Sequence, residues 1–147
     1  MTMSLEGLPS PLLRAWSALR GKAELKDFYL AGGTALAMRI GHRVSVDLDF
    51  FSAHNHLGFE QRKKIIGNLS ALPGFQVLEK KEGTLHLSVA RTHVSLFHYA
   101  YPLIAPIEAF QGVAVANLKD IGLMKLAALV GRGSRKDFID LFFLSKI

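Results

Sequence analysis

The chain contains no cysteine, which excludes structural disulfides, thiolate metal sites and cysteine nucleophiles. It also has no long hydrophobic run, because charged residues interrupt every apolar stretch well before the roughly 20 residues that a membrane-spanning helix needs. A basic region followed by an apolar run is absent from the N-terminus, and no linker rich in Pro, Gly or Ser divides the chain. We therefore expect a soluble, cytoplasmic protein without a membrane partner, in which residues 1–147 form a single domain.

Positive charge exceeds negative charge, with a formal net charge of +6 and an isoelectric point near 9.8. Such a balance favours an anionic partner, although a modest positive charge also promotes solubility. The cationic residues are concentrated at Arg62 to Lys64, at Lys80 and Lys81, and at Arg132 to Lys136. These runs are compatible either with a track for RNA phosphates or with ordinary solvated faces.

Two aspartates lie two residues apart in the segment VSVDLDFF, where β-branched and aromatic residues favour a strand. Asp47 and Asp49 would then point to the same face of the strand, roughly 6 to 7 Å apart. Two neighbouring carboxylates on an apolar strand repel each other unless a cation neutralises them, and Mg²⁺ is commonly held by one or two carboxylates plus substrate phosphates. The alternative is a pair of surface aspartates beside arginines.

A diglycine precedes this strand, between a short apolar run and a segment that is typical of a helix closing near Gly41. Gly32 and Gly33 would allow phosphate oxygens to approach the backbone closely. The N-terminus of the helix would add free N–H donors, and the Thr34 hydroxyl would add another. A Gly-Gly pair before a helix is also compatible with tight packing alone.

The C-terminal part of the chain contains a lysine in an apolar helical sector. Asn117 is a candidate N-cap for a helix that runs to about Val130, and the 100° periodicity places Lys125 among apolar residues. One interpretation is a snorkelling side chain or a salt bridge to Asp137 or Asp140, and the other is a cation that binds a triphosphate.

Two further aspartates lie on the predicted last helix, from Arg135 to about Ser145, with Ser134 as its N-cap. Asp137 and Asp140 are three residues apart and share one helical face. Asp137 lies in the first turn, where an anion is favoured in any case. Asp140 has apolar neighbours at helical spacing and therefore needs a partner, for which Lys125 and Arg132 are the candidates.

The pattern of hydrophobic residues predicts an α/β (α+β) fold in which helices cover a small mixed sheet, with the acidic strand in a central position. Helices are predicted at 11–20, 33–40 and 58–70, followed by the two C-terminal helices. Strands are predicted at 27–31, 46–52, 75–80, 84–90, 93–99 and 113–116.

These motifs together resemble the nucleotidyltransferase-like toxins of the AbiEii/AbiGii type, a branch of the DNA polymerase β-like nucleotidyltransferase superfamily. The resemblance rests on a Gly-Gly-Thr turn, on a downstream Arg-x-Ser-x-Asp-x-Asp-Phe and on the block ANLKDIGLMKLAALVGRGSRKDFIDLFFL, which bracket nearly the whole chain. The first two motifs comprise Gly32, Gly33, Thr34, Arg43, Ser45, Asp47, Asp49 and Phe50.

The resemblance implies a nucleotidyltransferase-like core that transfers NMP from an NTP to RNA, with tRNA among the candidate acceptors. It also implies a toxin with a cognate antitoxin. Mg²⁺ or Mn²⁺ would bind to Asp47 and Asp49, and Lys125, Asp137 and Asp140 would belong to the active site. The residues expected to contact the nucleotide are Gly32, Gly33, Thr34, Arg43, Ser45 and Arg132.

The chain departs from the superfamily pattern at the third carboxylate, which commonly lies on a later strand beside the Asp-x-Asp. The matching strand here, Thr92 to Tyr99, carries Ser95 at that position. Unless Asp137 or Asp140 completes the site, no general base is identified. A second hypothesis is therefore a catalytically weak or inactive domain that binds nucleotide or a partner protein, and a third is transfer to a protein side chain.

Overall fold

A computed structural model describes residues 2–147, and the side chain of Arg132 lies outside what it describes. Within these residues, seven strands form one mixed sheet in the order β3-β4-β5-β2-β1-β7-β6. The strands are β1 (Tyr29–Ala31), β2 (Leu48–Ser52), β3 (Gln76–Lys81), β4 (Thr84–Val89), β5 (Thr92–His98), β6 (Glu108–Phe110) and β7 (Val113–Val115). The helices are α1 (Ser10–Leu19), α2 (Gly32–Ile40), α3 (Phe59–Leu69), α4 (Leu118–Arg132) and α5 (Arg135–Leu144), with a 3₁₀ turn at Ala23–Leu25.

The strand that carries Asp49 occupies the centre of this sheet, which confirms the predicted mixed architecture. β2 is antiparallel to β1 and parallel to β5, so that Asp49 lies between Ala31 on one side and Ser95 on the other. Because the chain enters α2 directly after β1, the N-terminus of α2 meets the beginning of β2. The topology thereby brings the diglycine next to the acidic strand.

Alternating burial along β2 separates the core from the candidate site. Leu48, Phe50 and Ser52 are buried, whereas Asp49 and Phe51 are only partly buried. The buried side chains of β2 join a hydrophobic core to which α1 contributes Leu12 and Trp16. As side chains alternate across a strand, Asp49 projects to the opposite, more accessible face of the sheet.

Several predicted boundaries differ from the observed ones. β2 begins at Leu48 rather than at residue 46, so Asp47 precedes the strand instead of lying on it, and Val46 is 48% exposed. β6 was not predicted, because its segment follows a proline-punctuated connection and gains strand structure only by pairing with β7. The strands predicted at 75–80 and 84–90 are confirmed as β3 and β4, with a turn between them. Within residues 2–147, every helix is too short or too polar to span a bilayer.

Candidate active site

The N-terminus of α2 and the carboxylate of Asp49 are in direct contact. Gly32 has φ of +73°, and a Cβ atom added to it would lie 2.9 Å from Oδ2 of Asp49. Only glycine combines this backbone conformation with such a close approach. The N-cap of α2 is Ala31, whose side chain cannot accept a hydrogen bond, so the N–H groups of the first turn are not capped by it. These donors form a site that suits an anion.

Asp49 lacks sufficient positive charge around it. Burial, together with the neighbouring Asp47, raises the pKa of Asp49 to about 6, and this effect outweighs the opposing influence of Lys125, His93 and a hydrogen bond with Ser95. Each of these contributions is a general determinant of carboxylate ionisation. The pair of aspartates is therefore an anionic site that a cation would stabilise.

The chemistry of this donor set fits a small divalent cation. Asp47 and Asp49 offer hard oxygen ligands, and Mg²⁺ typically uses one or two carboxylates and takes its other ligands from water or substrate phosphates. Within residues 2–147, no group of three or more His, Cys, Asp or Glu side chains is arranged to hold a metal. A cation at this site would thus depend on phosphate or water oxygens to complete its coordination.

Asp140 is completely buried at the centre of a second charged cluster. Arg43 donates to both carboxylate oxygens, from Nε at 2.7 Å and from Nη2 at 3.0 Å. Nε2 of His42 lies 2.6 Å from Oδ1, and Nζ of Lys125 lies 2.8 Å from Oδ2. Burial alone would raise the pKa of Asp140, but the hydrogen bonds from Arg43, His42 and Lys125 hold it well below its usual range.

Lys125 joins Asp140 to a second carboxylate, that of Asp137. Its Nζ atom also lies 3.0 Å from Oδ1 of Asp137. Asp137 forms a capping box with Ser134 at the start of α5, which confirms the predicted N-cap. Although burial acts to raise it, the pKa of Asp137 is lowered by Lys125 and by the hydrogen bonds with Ser134.

A cavity of about 390 Å³ lies between α4 and the accessible face of β2. Four of the predicted site residues line it: Gly32, Asp49, Lys125 and Asp137. The rest of the lining is mostly apolar and consists of Phe51, Tyr99, Ile121, Met124, Ala127 and Ala128. The anionic and cationic side chains thus share one small, largely apolar chamber, in which electrostatic interactions are stronger than in water.

Other predicted contact residues are held within the protein. Thr34 is 2% exposed; its hydroxyl lies 2.6 Å from the Ser45 hydroxyl and donates to the backbone carbonyl of Asp47. The guanidinium of Arg43 is engaged with Asp140, as described above. These polar groups thus already have partners within the protein, and direct contact of Thr34, Ser45 and Arg43 with the nucleotide remains a prediction.

Asp140 is 0% exposed and is held by Arg43, Lys125 and His42, and its role in catalysis likewise remains a prediction. Gly33 also has a packing role. A Cβ atom on Gly33 would lie 2.1 Å from Nη2 of Arg43, so that glycine is required for the guanidinium to reach Asp140. Gly33, Arg43 and Asp140 are thus packed together, whereas Gly32, Asp49, Lys125 and Asp137 line the cavity.

Sequence reasoning missed His42 and the partners of Ser95. His42 directly precedes the arginine of the acidic motif, but only its buried contact with Asp140 identifies its role. Ser95 lies beside Asp49 on β5, and its Oγ is 2.8 Å from Nδ1 of His86, which in turn lies 3.0 Å from Nε2 of His93. Both histidines lie within strands that the sequence predicts, but a strand prediction does not reveal which side chains meet across the sheet.

The chain is similar in sequence to one protein family and to a bacterial relative. A family model described as the nucleotidyl transferase AbiEii toxin of type IV toxin–antitoxin systems matches residues 14–146. An uncharacterized protein of Aquifex aeolicus (strain VF5) is 40% identical over 126 residues, which cover 82% of this chain. The chain spans only 58% of the length of that relative.

Solved structures show the same fold. JHP933 from Helicobacter pylori superposes with a TM-score of 0.61 and 21% identity, over 95% of this chain and 68% of that protein. The antibiotic-resistance factor ANT(2'')-Ia also gives a TM-score of 0.61, with 13% identity, over 92% of this chain and 81% of its own. The structural likeness confirms the predicted fold class, and from the match over residues 14–146 the chain belongs to the AbiEii family of nucleotidyl transferase toxins.

Proposed function

We propose that the protein is a metal-dependent nucleotidyltransferase that transfers NMP from an NTP to an RNA acceptor, and that it acts as the toxin of a pair with a cognate antitoxin. The observation that carries this proposal is the position of Asp49. Its partly buried carboxylate has too little neighbouring positive charge, lies against the N-terminus of α2 and shares a cavity with Lys125. Family membership supports the same reaction class.

Asp47 and Asp49 would hold Mg²⁺ or Mn²⁺ together with phosphate oxygens of the nucleotide. The ion, when bound, would neutralise negative charge on the triphosphate and on the departing pyrophosphate. The backbone N–H groups at the start of α2 would donate to phosphate oxygens, as helix N-termini commonly do. Gly32 lies at this point, where any side chain would obstruct the Asp49 carboxylate.

Lys125 is placed to bind phosphate while remaining fixed by the protein. An ammonium group has three donors, and two of them are directed to Asp137 and Asp140. The third is available to a ligand in the cavity, which Lys125 lines. The buried cluster of Asp140, Arg43 and His42 would hold the ammonium in this orientation. Fixed charges of this kind stabilise a transition state without reorganisation.

The reaction would join an acceptor hydroxyl oxygen to the α-phosphorus of the nucleotide and break the bond to pyrophosphate, while the hydroxyl proton is released. Catalysis of phosphoryl transfer depends mainly on positioning and charge stabilisation, so a few oxygen ligands and cations are sufficient. The cavity supplies both through Gly32, Asp49 and Lys125.

A second candidate function is nucleotide binding with little or no turnover. The observation that favours it is Ser95, which lies directly beside Asp49 at the position where a third carboxylate would be expected. A serine does not hold a second metal ion or accept a proton as readily as a carboxylate does. Transfer to a protein side chain is a further outcome that the same cavity would support.

The proposal is tested by incubating the protein with each α-labelled NTP, Mg²⁺ and total RNA. Labelled RNA supports the first function, labelled protein supports transfer to a side chain, and nucleotide binding without either product supports the second candidate. Asp49→Asn should abolish labelling. Asp27→Asn is the matched control, because it removes the same charge from an exposed position outside the cavity.

The toxin assignment has its own test. Induced expression of the wild-type chain in bacteria should arrest growth, whereas Asp49→Asn should not at equal protein levels. Growth arrest by both the wild type and Asp49→Asn would show that toxicity does not depend on nucleotidyl transfer.

A further inference from the structure

We propose that a basic groove at one end of the sheet binds the phosphate backbone of the RNA acceptor and directs it towards Asp49. The groove cations are Arg14, Arg20, Lys22 and Arg91. This proposal rests on the proposed function and assigns an acceptor site separate from the nucleotide cavity. None of these four residues belongs to the three cationic runs of the sequence, at 62–64, 80–81 and 132–136.

The groove is large, open and cationic. It has a volume of about 1300 Å³ and is formed by α1, by the segment between α3 and β3 and by the turn between β4 and β5. Among the described residues that line it, none is acidic. The four groove cations also take no part in the ion pairs found within residues 2–147. Their charges are therefore available to an anionic polymer.

The turn that presents Arg91 is strained. Ala90 and Arg91 have φ of 49° and 65°, a left-handed conformation that is unfavourable for residues with a side chain. Asn-Gly would relieve this cost in a two-residue turn of this kind. The conformation is held by the Ala90 N–H, which donates to the carbonyl of Pro73 at 2.7 Å. Strain retained at a turn that carries an exposed cation points to a function for that cation.

The groove lies at the end of the sheet, between the core face on which α1 packs and the opposite face that carries Asp49, so the acceptor would pass around this end to reach the candidate active site. Gln76 and Ser88 line the groove, and Ser88 pairs with both Gln76 and His93 across the strands. The next row of the sheet on this face contains Glu79, His86 and Ser95, followed by Asp49 on β2. Arg91 precedes Ser95 by four residues, which corresponds to roughly 13 Å along a strand.

This arrangement fits a nucleic acid better than a compact anion. The four cations are spread over α1, the turn that follows it and the turn between β4 and β5. Such a spread matches charges that repeat along a nucleic acid backbone, whereas a single phosphate would contact only one or two of the cations. The partly buried side chains of Leu13 and Leu72 also line the groove and offer apolar surface to nucleobases. An acidic protein segment is the competing occupant, and the experiment below distinguishes the two.

The test measures binding of a fluorescently labelled oligouridine by anisotropy, without NTP, over a range of salt concentrations. The key variant is Arg91→Gly, which removes the charge and also relieves the turn. We expect its affinity to fall about tenfold, with the slope of log K against log salt reduced by roughly 0.7. Its unfolding temperature should stay equal or rise, a result that a merely structural arginine would not produce.

Two controls separate the groove from general electrostatics. Ala90→Gly relieves the same strain without removing charge and should leave RNA affinity within about twofold. Lys63→Gln with Lys64→Gln removes two exposed cations outside the groove and is compared with Arg14→Gln plus Arg91→Gly, which removes two within it. The groove pair should weaken binding much more than the control pair.

Three outcomes would overturn the proposal. The first is an equal loss of RNA affinity in the groove pair and the control pair. The second is wild-type RNA affinity in Arg91→Gly. The third is displacement of the RNA by polyglutamate at lower concentrations than by unlabelled RNA. The proposed function fails separately. If RNA binds through the groove but is never labelled by NTP, only the transferase proposal is lost; if RNA is labelled equally well by Arg91→Gly, only the groove is lost.

Discussion

Two carboxylates a short distance apart in this fold have opposite electrostatic environments. Asp140 is fully buried, yet it is surrounded by Arg43, His42 and Lys125, and its pKa is held well below the usual range. Asp49 is partly buried beside Asp47, and its pKa is raised to about 6. The more deeply buried carboxylate is therefore the better satisfied one.

The difference distinguishes a carboxylate that stabilises the fold from one whose environment suits a ligand. A buried charge with a full set of partners stabilises one arrangement of the elements around it, and removing it leaves those partners unpaired. A charge without enough partners is retained at a cost in stability, and such costs are typical of ligand-binding sites. By this criterion Asp140 organises the C-terminal helices, whereas Asp49 has the environment expected of the proposed cation and nucleotide site.

The largest expected effect is on stability, from Asp140→Asn. The substitution leaves Arg43 without its anionic partner and leaves Lys125 paired with Asp137 alone. Breaking a buried ion pair in this way typically costs about 3–5 kcal/mol. Chemical denaturation should show this loss in the free energy of unfolding. Asp137→Asn should cost clearly less, because that carboxylate is partly solvated. Similar losses for both would remove the distinction drawn for Asp140.

The next effect is on activity, from Asp49→Asn. We expect nucleotidyl transfer to fall at least about 100-fold, as is typical when a principal electrostatic contact is removed from an active site. The free energy of unfolding should be unchanged or higher, because asparagine avoids the burial of an anion. Parallel assays of transfer and denaturation check both values. A destabilisation as large as that of Asp140→Asn would contradict the comparison.

A smaller effect is expected from Gly32→Ala. The new Cβ atom would lie 2.9 Å from Asp49 Oδ2, and the φ of +73° is unfavourable for alanine. The stability loss should be on the order of 1–3 kcal/mol, and nucleotide affinity should fall as the carboxylate is displaced. Gly41→Ala is the matched control. Gly41 also has positive φ, but nothing lies within 4 Å of its added Cβ. Equal nucleotide affinities in the two variants would argue against the role of Gly32.

The smallest effect is the pH dependence of the contribution that Asp140 makes to the free energy of unfolding. The pKa of this group is lower in the folded protein than in the unfolded chain, where aspartate titrates near pH 4. Its contribution is therefore complete above about pH 4 and is lost as the pH falls towards the folded pKa. The slope reaches at most about 1.4 kcal/mol per pH unit.

Denaturation of the wild type and of Asp140→Asn between neutral and acidic pH measures this contribution. Their stabilities should converge only below about pH 4. Convergence nearer neutrality would mean that the carboxylate is not held by its cationic partners in the way described.

Much of the fold follows from local patterns. The caps at Asn117 and Ser134, the turn between β3 and β4 and the central acidic strand agree with the prediction, since each depends on residues close together in the chain. β6 escaped prediction because it exists through pairing with β7. The motif proposes the site residues, but it does not distinguish a side chain that lines the cavity from one that is buried behind it.

The amino-acid sequence by itself determined the alternation that places Asp49 opposite the core, the glycine that permits α2 to approach it, and the family to which the chain belongs. Tertiary structure alone decided that Arg43 crosses beneath Gly33 to reach Asp140, that Lys125 joins two carboxylates, and that the four groove cations meet at one end of the sheet. The physical reason is that periodicity and capping depend on neighbours within a few residues. The partners of a charged side chain depend instead on which distant segments the packed core brings together.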